Sequence, residues 1–241
     1  MTGTIINTVA VVVAGSAGVL LGNRLPEKVR QTVMAGIGLT TLLIGAQMAL
    51  KTEQILIVLG SIVLGGVVGE IVDLDRGLER LGRWLESLVA KSPLGPAATA
   101  DAEGKAAPSF TRAFVTASLV FCVGPMTILG SIQDGLSGDY QTLAVKSMLD
   151  AFTSLAFASS LGIGVPFSAL TVLVYQGALT LAAGWVKGAL SAAMINEMTA
   201  TGGLLVIGVG LQLLEIRRIR VANLLPALAI APIAVALLGV G

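Results

Sequence analysis

Eight stretches of the chain, residues 4–22, 32–50, 54–72, 113–131, 142–162, 165–185, 198–214 and 220–239, are apolar around most of their circumference. Each is close to the ~20 residues that a helix needs to cross a hydrocarbon core of roughly 30 Å. Five carry no charged residue, and acidic residues occur only in the third and fifth. In lipid every backbone N–H and C=O must be paired within the protein, which leaves helices or a closed barrel. A barrel would show alternating segments of about ten residues, and none is visible. The expected fold is an all-α integral membrane protein with about eight transmembrane helices.

The rest of the composition removes several function classes. Hydrophobic residues are 55% and charged residues 12% of the 241, the latter about half the share of a soluble domain. A net charge of +1 offers no basic face for nucleic acid. Without histidine, imidazole acid–base chemistry, His-ligated zinc and histidine pH switching are excluded. A single cysteine, Cys122, allows neither an internal disulfide nor a paired-cysteine redox site. No cofactor is expected.

Eight spans place both termini on one side of the membrane. Arg24, Lys28 and Arg30 fall in the first loop, and Arg76, Arg80, Arg83, Lys91, Lys105 and Arg112 in or beside the third. Arg217, Arg218 and Arg220 fall in the seventh, on the same face, giving that face twelve basic residues. The opposite face has three, Lys51, Lys146 and Lys187. The positive-inside rule then puts both termini in the periplasm of a bacterial inner membrane protein. The first apolar stretch lacks a basic n-region and a cleavage site, so it reads as a retained span.

Three segments follow: spans 1–3 over 1–72, a cytoplasmic connection over 73–112, and spans 4–8 over 113–241. In the connection, Leu74, Leu78, Leu81, Leu85 and Leu88 share one helical face, with Arg76, Glu79, Arg80, Arg83 and Glu86 on the remainder and Trp84 at the edge. This is an amphipathic helix suited to the cytoplasmic leaflet; a short coiled-coil contact between subunits is the other reading. Residues 92–109, rich in Ala, Pro and small polar types, read as a flexible linker.

An internal match accompanies the spans. Ala35, Gly38, Leu39, Gly45 and Gln47 of span 2 fall in gapless register with Ala200, Gly203, Leu204, Gly210 and Gln212 of span 7. Span 1 matches span 6 through Val12/Val174, Gly15/Gly177 and Gly22/Gly184. The topology makes these three-helix units inverted repeats, an arrangement that places transporter sites near the midplane. An alignment of spans 4–6 on spans 1–3 is also inverted. Glycines at small-xxx-small spacing, among them Gly15/Gly18/Gly22 and Gly65/Gly69, indicate close helix packing.

Polar residues inside the spans nominate a site. Gly124-Pro125 breaks the fourth span, because proline lacks the N–H and clashes with the preceding turn. Thr127, Ser131, Gln133, Asp134 and Asp139 follow, and a broken helix with hydroxyl, amide and carboxylate groups suits a cation. Asp150 lies about nine residues into the fifth span, on one face with Lys146 and Ser154. A carboxylate at that depth costs several kcal/mol without a partner or water. It forms either a structural pair with Lys146 or an ion site with the polar end of span 4. Glu70, with Asp73 beyond it, is a solvated helix-end acid or the rim of a cation vestibule. Asn7, Gln47, Gln176 and Gln212 are uncharged polar groups inside the spans that either hold helices together or bind the ion or solute. Gln47 and Gln212, matched by the repeat, join Glu70 as candidate binding residues.

The segments GTIINTVAVVVAGSAGVLLGNRLPE, GGVVGEIVDLD and FCVGPMTILGSIQDGLSGD, the last followed by KSMLDAFTSLAFASSLGIGV, resemble the bacterial membrane family known as domain of unknown function 554, of YqgA/YdfK type. That resemblance implies an inner-membrane protein and carries over no functional residues. LDAFTSLAFASSLG is also similar to Asp-bearing helices of the lysine-exporter superfamily. A transporter or channel for a small inorganic cation, or for an ion-coupled small solute, is the leading expectation. Asp150 would be the binding group, Thr127, Ser131, Gln133 and Asp134 the opposite wall, and a homo-oligomer, dimeric by preference, the assembly. A membrane scaffold acting through 74–90 is the second. An enzyme ranks last, because no HExxH, GxSxG or paired-carboxylate motif occurs.

Overall fold

A computed structural model describes residues 1–22, 26–91, 110–186 and 190–239. Ten α-helices lie among them: α1 (Thr2–Gly22), α2 (Glu27–Ala49), α3 (Ile55–Val72), α4 (Leu74–Ala90), α5 (Phe110–Cys122), α6 (Pro125–Ser137), α7 (Gln141–Leu161), α8 (Gly164–Val186), α9 (Ala192–Leu213) and α10 (Ala227–Leu238). A 3-10 turn at Val221–Leu224 precedes α10, and no strand occurs among the described residues. The linker expected over 92–109 lies outside the described residues, as do Arg24, Lys105 and Lys187.

Among the described residues six helices are long and apolar enough to cross a membrane, and α5 with α6, bent by 64°, would make a seventh. By length and composition, six to seven helices thus stand beside the eight expected stretches. The stretch over 142–162 is helical, as α7, but Lys146, Asp150 and six Ser or Thr residues dilute its apolarity. The break expected at Gly124-Pro125 is present: α5 stops at Cys122 and α6 begins at Pro125, where a missing N–H costs no helical hydrogen bond.

Two compact units are distinguishable, one of residues 1–37, 78–122 and 126–184, the other of 38–77, 123–125 and 185–241. In the first, α1 packs along α7 through its glycines. A Cβ on Gly15 would meet Ser154 and Pro166, one on Gly18 the Leu155 carbonyl, and one on Gly22 the Ser159 backbone. Small residues thus let two helices approach at backbone distance, gaining dispersion contacts that lipid does not replace. Leu85 and Val89 of α4 are buried with Phe110 and Phe114 of α5, and Thr111 donates to Glu86 at 3.1 Å. The opposite edge of α4 leaves Leu81, Trp84 and Leu88 exposed.

In the second unit α2 and α9 run antiparallel, because rising numbers on one meet falling numbers on the other. Gly38 abuts Leu214, Leu42 abuts Gly210, Gly45 abuts Ile207 and Ala49 abuts Gly203. Gly65 and Gly69 of α3 lie against Ala227 and the Asn223 backbone. Glu197, buried in α9, accepts from Thr52 Oγ1 at 2.6 Å and from the N–H groups of Glu53 and Gln54 at 2.8 and 3.0 Å. These donors open α3, so the carboxylate satisfies groups left over at a helix start and sits at the positive end of its dipole.

Candidate functional site

The buried face of α1 presents Gly3, Thr4, Asn7 and Val11 at helical spacing. Its polar members meet α7 and α8. Thr4 and Thr180 share a hydroxyl–hydroxyl bond of 3.2 Å, and Thr180 donates to the Gln176 carbonyl at 2.8 Å. Asn7 Nδ2 donates to Asp150 Oδ2 at 2.9 Å and to Gln176 Oε1 at 3.3 Å. Lys146 forms an ion pair with the same Asp150 oxygen, and Ser154 donates to the Val11 carbonyl at 3.0 Å one turn further along.

This network dictates its own loose ends. A carboxylate accepts only, so Asn7 must turn its nitrogen to Asp150 and its oxygen away. Gln176 must then offer its oxygen to Asn7, which turns its nitrogen away. Asn7 Oδ1 and Gln176 Nε2 are buried with no protein partner, although both residues are 0% exposed. Desolvating an amide group without a hydrogen bond costs about 1–3 kcal/mol in proteins. One unpaired acceptor and one unpaired donor therefore adjoin a buried ion pair, a setting able to coordinate a small polar species.

The residues of the broken span form a second polar group. Asp134 is buried, and its Oδ2 accepts from the Gly3 N–H and pairs with the Met1 amino group, each at 3.0 Å. Asp134 Oδ1 and the hydroxyl of buried Ser131 have no partner. Thr127 donates to the Phe121 carbonyl at 3.3 Å, closing part of the gap that the helix break opens. Gln133 is exposed and accepts from Thr142 at 2.6 Å. The hydrogen-bond partners of Asp150 are thus Lys146 and Asn7, whereas Asp134 bonds to the start of α1.

The remaining expected residues lie in the second unit. Gln47 is exposed on α2. Gln212 donates to the Ile219 carbonyl, so the two residues matched by the repeat have different surroundings. Glu70 pairs with Arg220 and accepts from Asn223 Nδ2, and Asp73 pairs with Arg76 at 2.9 Å. Asn223 Oδ1 accepts from the Asp75 N–H at 2.7 Å, tying the start of α4 to the turn before α10. Among the described residues no three Asp, Glu or Cys side chains converge to hold a metal ion.

Glu197 and Asn223 carry structural roles that sequence reasoning missed. Extending the seventh apolar stretch upstream by one residue would have exposed the acid. α7 offers a further signal. Its buried face carries Lys146, Ser147, Asp150 and Ser154, while Val145, Met148, Leu149 and Phe152 are exposed. Polar inside and apolar outside is the reverse of a helix in water and fits one face against lipid with the other against a polar interior.

Comparison with known proteins places the sequence. The family model described as "Protein of unknown function (DUF554)" matches residues 2–236. "Uncharacterized protein YqgA" of Escherichia coli (strain K12) is 33% identical over 229 residues, covering 95% of this chain and 94% of that protein. "Uncharacterized membrane protein YdfK" of Bacillus subtilis (strain 168) is 30% identical over 239 residues, covering 98% and 96%. No solved structure matches.

Proposed function

The chain belongs to the DUF554 family, and on that premise we propose that it is a transporter or channel for a small monovalent cation. The observation that carries this reading is the buried cluster of Asn7, Asp150 and Gln176, with its unpaired amide oxygen and nitrogen, inside helices whose outer faces are apolar. Structural cores of membrane helices pair their polar groups, because an orphan in low dielectric is costly. A site that conducts must leave some of them for its cargo. The one carboxylate of the cluster, Asp150, pairs with the single charge of Lys146, and in this reading a monovalent cation takes the place of that ammonium beside the unpaired Asn7 Oδ1. The orphaned Asp134 Oδ1 and Ser131 Oγ supply a second station along α1.

In this reading α7 is a span, α5 and α6 together are one discontinuous span, and eight spans place both termini in the periplasm of a bacterial inner membrane. The inverted repeat rests on the sequence register, in which adding 165 to a position in α2 gives its match in α9; the antiparallel packing of α2 on α9 is compatible with it. A homodimer is the assembly in this reading, and no enzymatic step is assigned.

The test is flux of Na⁺, K⁺ and Li⁺ into proteoliposomes containing purified protein. Asp150→Asn should abolish it, and unchanged flux in that variant would remove the site. A second reading, a scaffold acting through α4, is favoured by the exposed Leu81, Trp84 and Leu88. Leu81→Ser with Trp84→Ser and Leu88→Ser separates the two, since a scaffold loses its docking face and a conduit keeps its flux.

A further inference from the structure

We infer that Lys146 is a tethered competitor for the cargo cation at Asp150, and that this competition lets the site release what it binds. The inference rests on the cation reading above. Lys146 stands one turn before Asp150 on α7, and its ammonium pairs with Oδ2, the oxygen to which Asn7 Nδ2 donates at 2.9 Å. Both partners are buried. A carboxylate alone in that setting would hold a monovalent cation too firmly, because every departure leaves an uncompensated buried charge. Conduction requires binding that is weak enough to reverse.

A built-in ammonium meets that requirement. An arriving cation takes the carboxylate only by displacing Lys146. The displaced ammonium has an acceptor within the same cluster, the unpaired Oδ1 of Asn7, on a residue already bonded to Asp150. When the ammonium returns, the cargo is expelled and the carboxylate is neutral-paired again. Lysine suits this exchange because its charge is compact and its four-carbon stem is flexible. An arginine fork places two donors on one carboxylate and surrenders it less readily. A merely structural ion pair gives the opposite pattern, since arginine would preserve it and an apolar residue would not.

The experiment uses the full chain in phosphatidylethanolamine/phosphatidylglycerol proteoliposomes with Na⁺ and K⁺ as probes. Lys146→Met should lower the half-saturating cation concentration by about tenfold and reduce the maximal rate. Lys146→Arg should suppress flux while keeping the wild-type melting temperature. In detergent, the melting temperature of Lys146→Met should rise on replacing choline with the transported cation, because the cation then supplies the missing counter-charge. Should that variant unfold in choline, the cation should recover it, and the uncharged double variant Lys146→Met/Asp150→Asn should fold without any cation response. Wild-type flux in Lys146→Arg, or Lys146→Met with neither a lower half-saturation nor a cation-dependent melting shift, overturns the inference while leaving the cation reading standing. Absence of flux of either cation in the wild type overturns the cation reading, and this inference with it.

Discussion

Asn7 of α1 donates its side-chain nitrogen to the Asp150 carboxylate of α7 at 2.9 Å, across 143 positions of sequence. The bond is buried, reaches an ionised acceptor, and fixes the orientation of Gln176 beyond it. Asn7→Leu should therefore cost about 1.5–3 kcal/mol, the range for hydrogen bonds to charged groups. Thermal unfolding in detergent measures the loss, and cation flux should fall in the same variant, since Gln176 is released from its orientation.

Replacing Asp150 alone leaves the Lys146 ammonium buried without a counter-ion. Asp150→Asn should lower stability by about 3–5 kcal/mol as well as abolish flux. Adding Lys146→Met should restore most of that stability and none of the flux. A double-mutant cycle on melting temperature, paired with the flux assay, separates the two effects.

Glycine substitutions should divide by what the missing Cβ would touch. On Gly69 it would strike the Asn223 backbone and on Gly22 that of Ser159, whereas Gly60 faces nothing within 4 Å. Gly69→Ala and Gly22→Ala should each destabilise by about 1–3 kcal/mol through overpacking. Gly60→Ala should be neutral or stabilise by up to about 1 kcal/mol through helix propensity. Parallel melting curves of the three variants test the ordering.

Glu197 satisfies three donors at the start of α3. Glu197→Ala should cost about 2–4 kcal/mol, combining a lost charged cap with buried donors left unpaired. Glu197→Gln should recover part of it, since an amide oxygen still accepts. Hydrogen exchange at Glu53 and Gln54 should accelerate in the alanine variant ahead of global unfolding.

Cys122 is the one cysteine of the chain, which makes sidedness testable. In a Cys122→Ser background, a cysteine placed at exposed Ser87 of α4 should resist a membrane-impermeant maleimide in intact cells and react in inverted vesicles. Labelling of intact cells would reverse the orientation drawn from the basic residues.

Much of the architecture was legible because it depends on local chemistry. Apolar runs marked the spans, and Gly124-Pro125 marked the break between α5 and α6. α7 blurred the count because averaging along a segment cannot see that Lys146 and Asp150 point one way while Met148 and Phe152 point the other. The site was legible only in part. Asp150 and Lys146 stand one helical turn apart, so their pairing follows from spacing alone. The bonds of Asp134 to the start of α1, and of Asp150 to Asn7, do not.

What the residues determine unaided is what lipid and backbone geometry demand of any single segment: its length, its apolarity, its kink and its charged ends. Tertiary structure decided which polar side chains share a buried space, and hence that Asn7 and Gln176 join Asp150 while Glu197 caps α3. The physical reason is that hydrogen bonds and ion pairs act over a few ångströms, so their partners are set by where glycine-lined helices can approach. That choice is made by packing across the whole chain and leaves no periodic trace within one span.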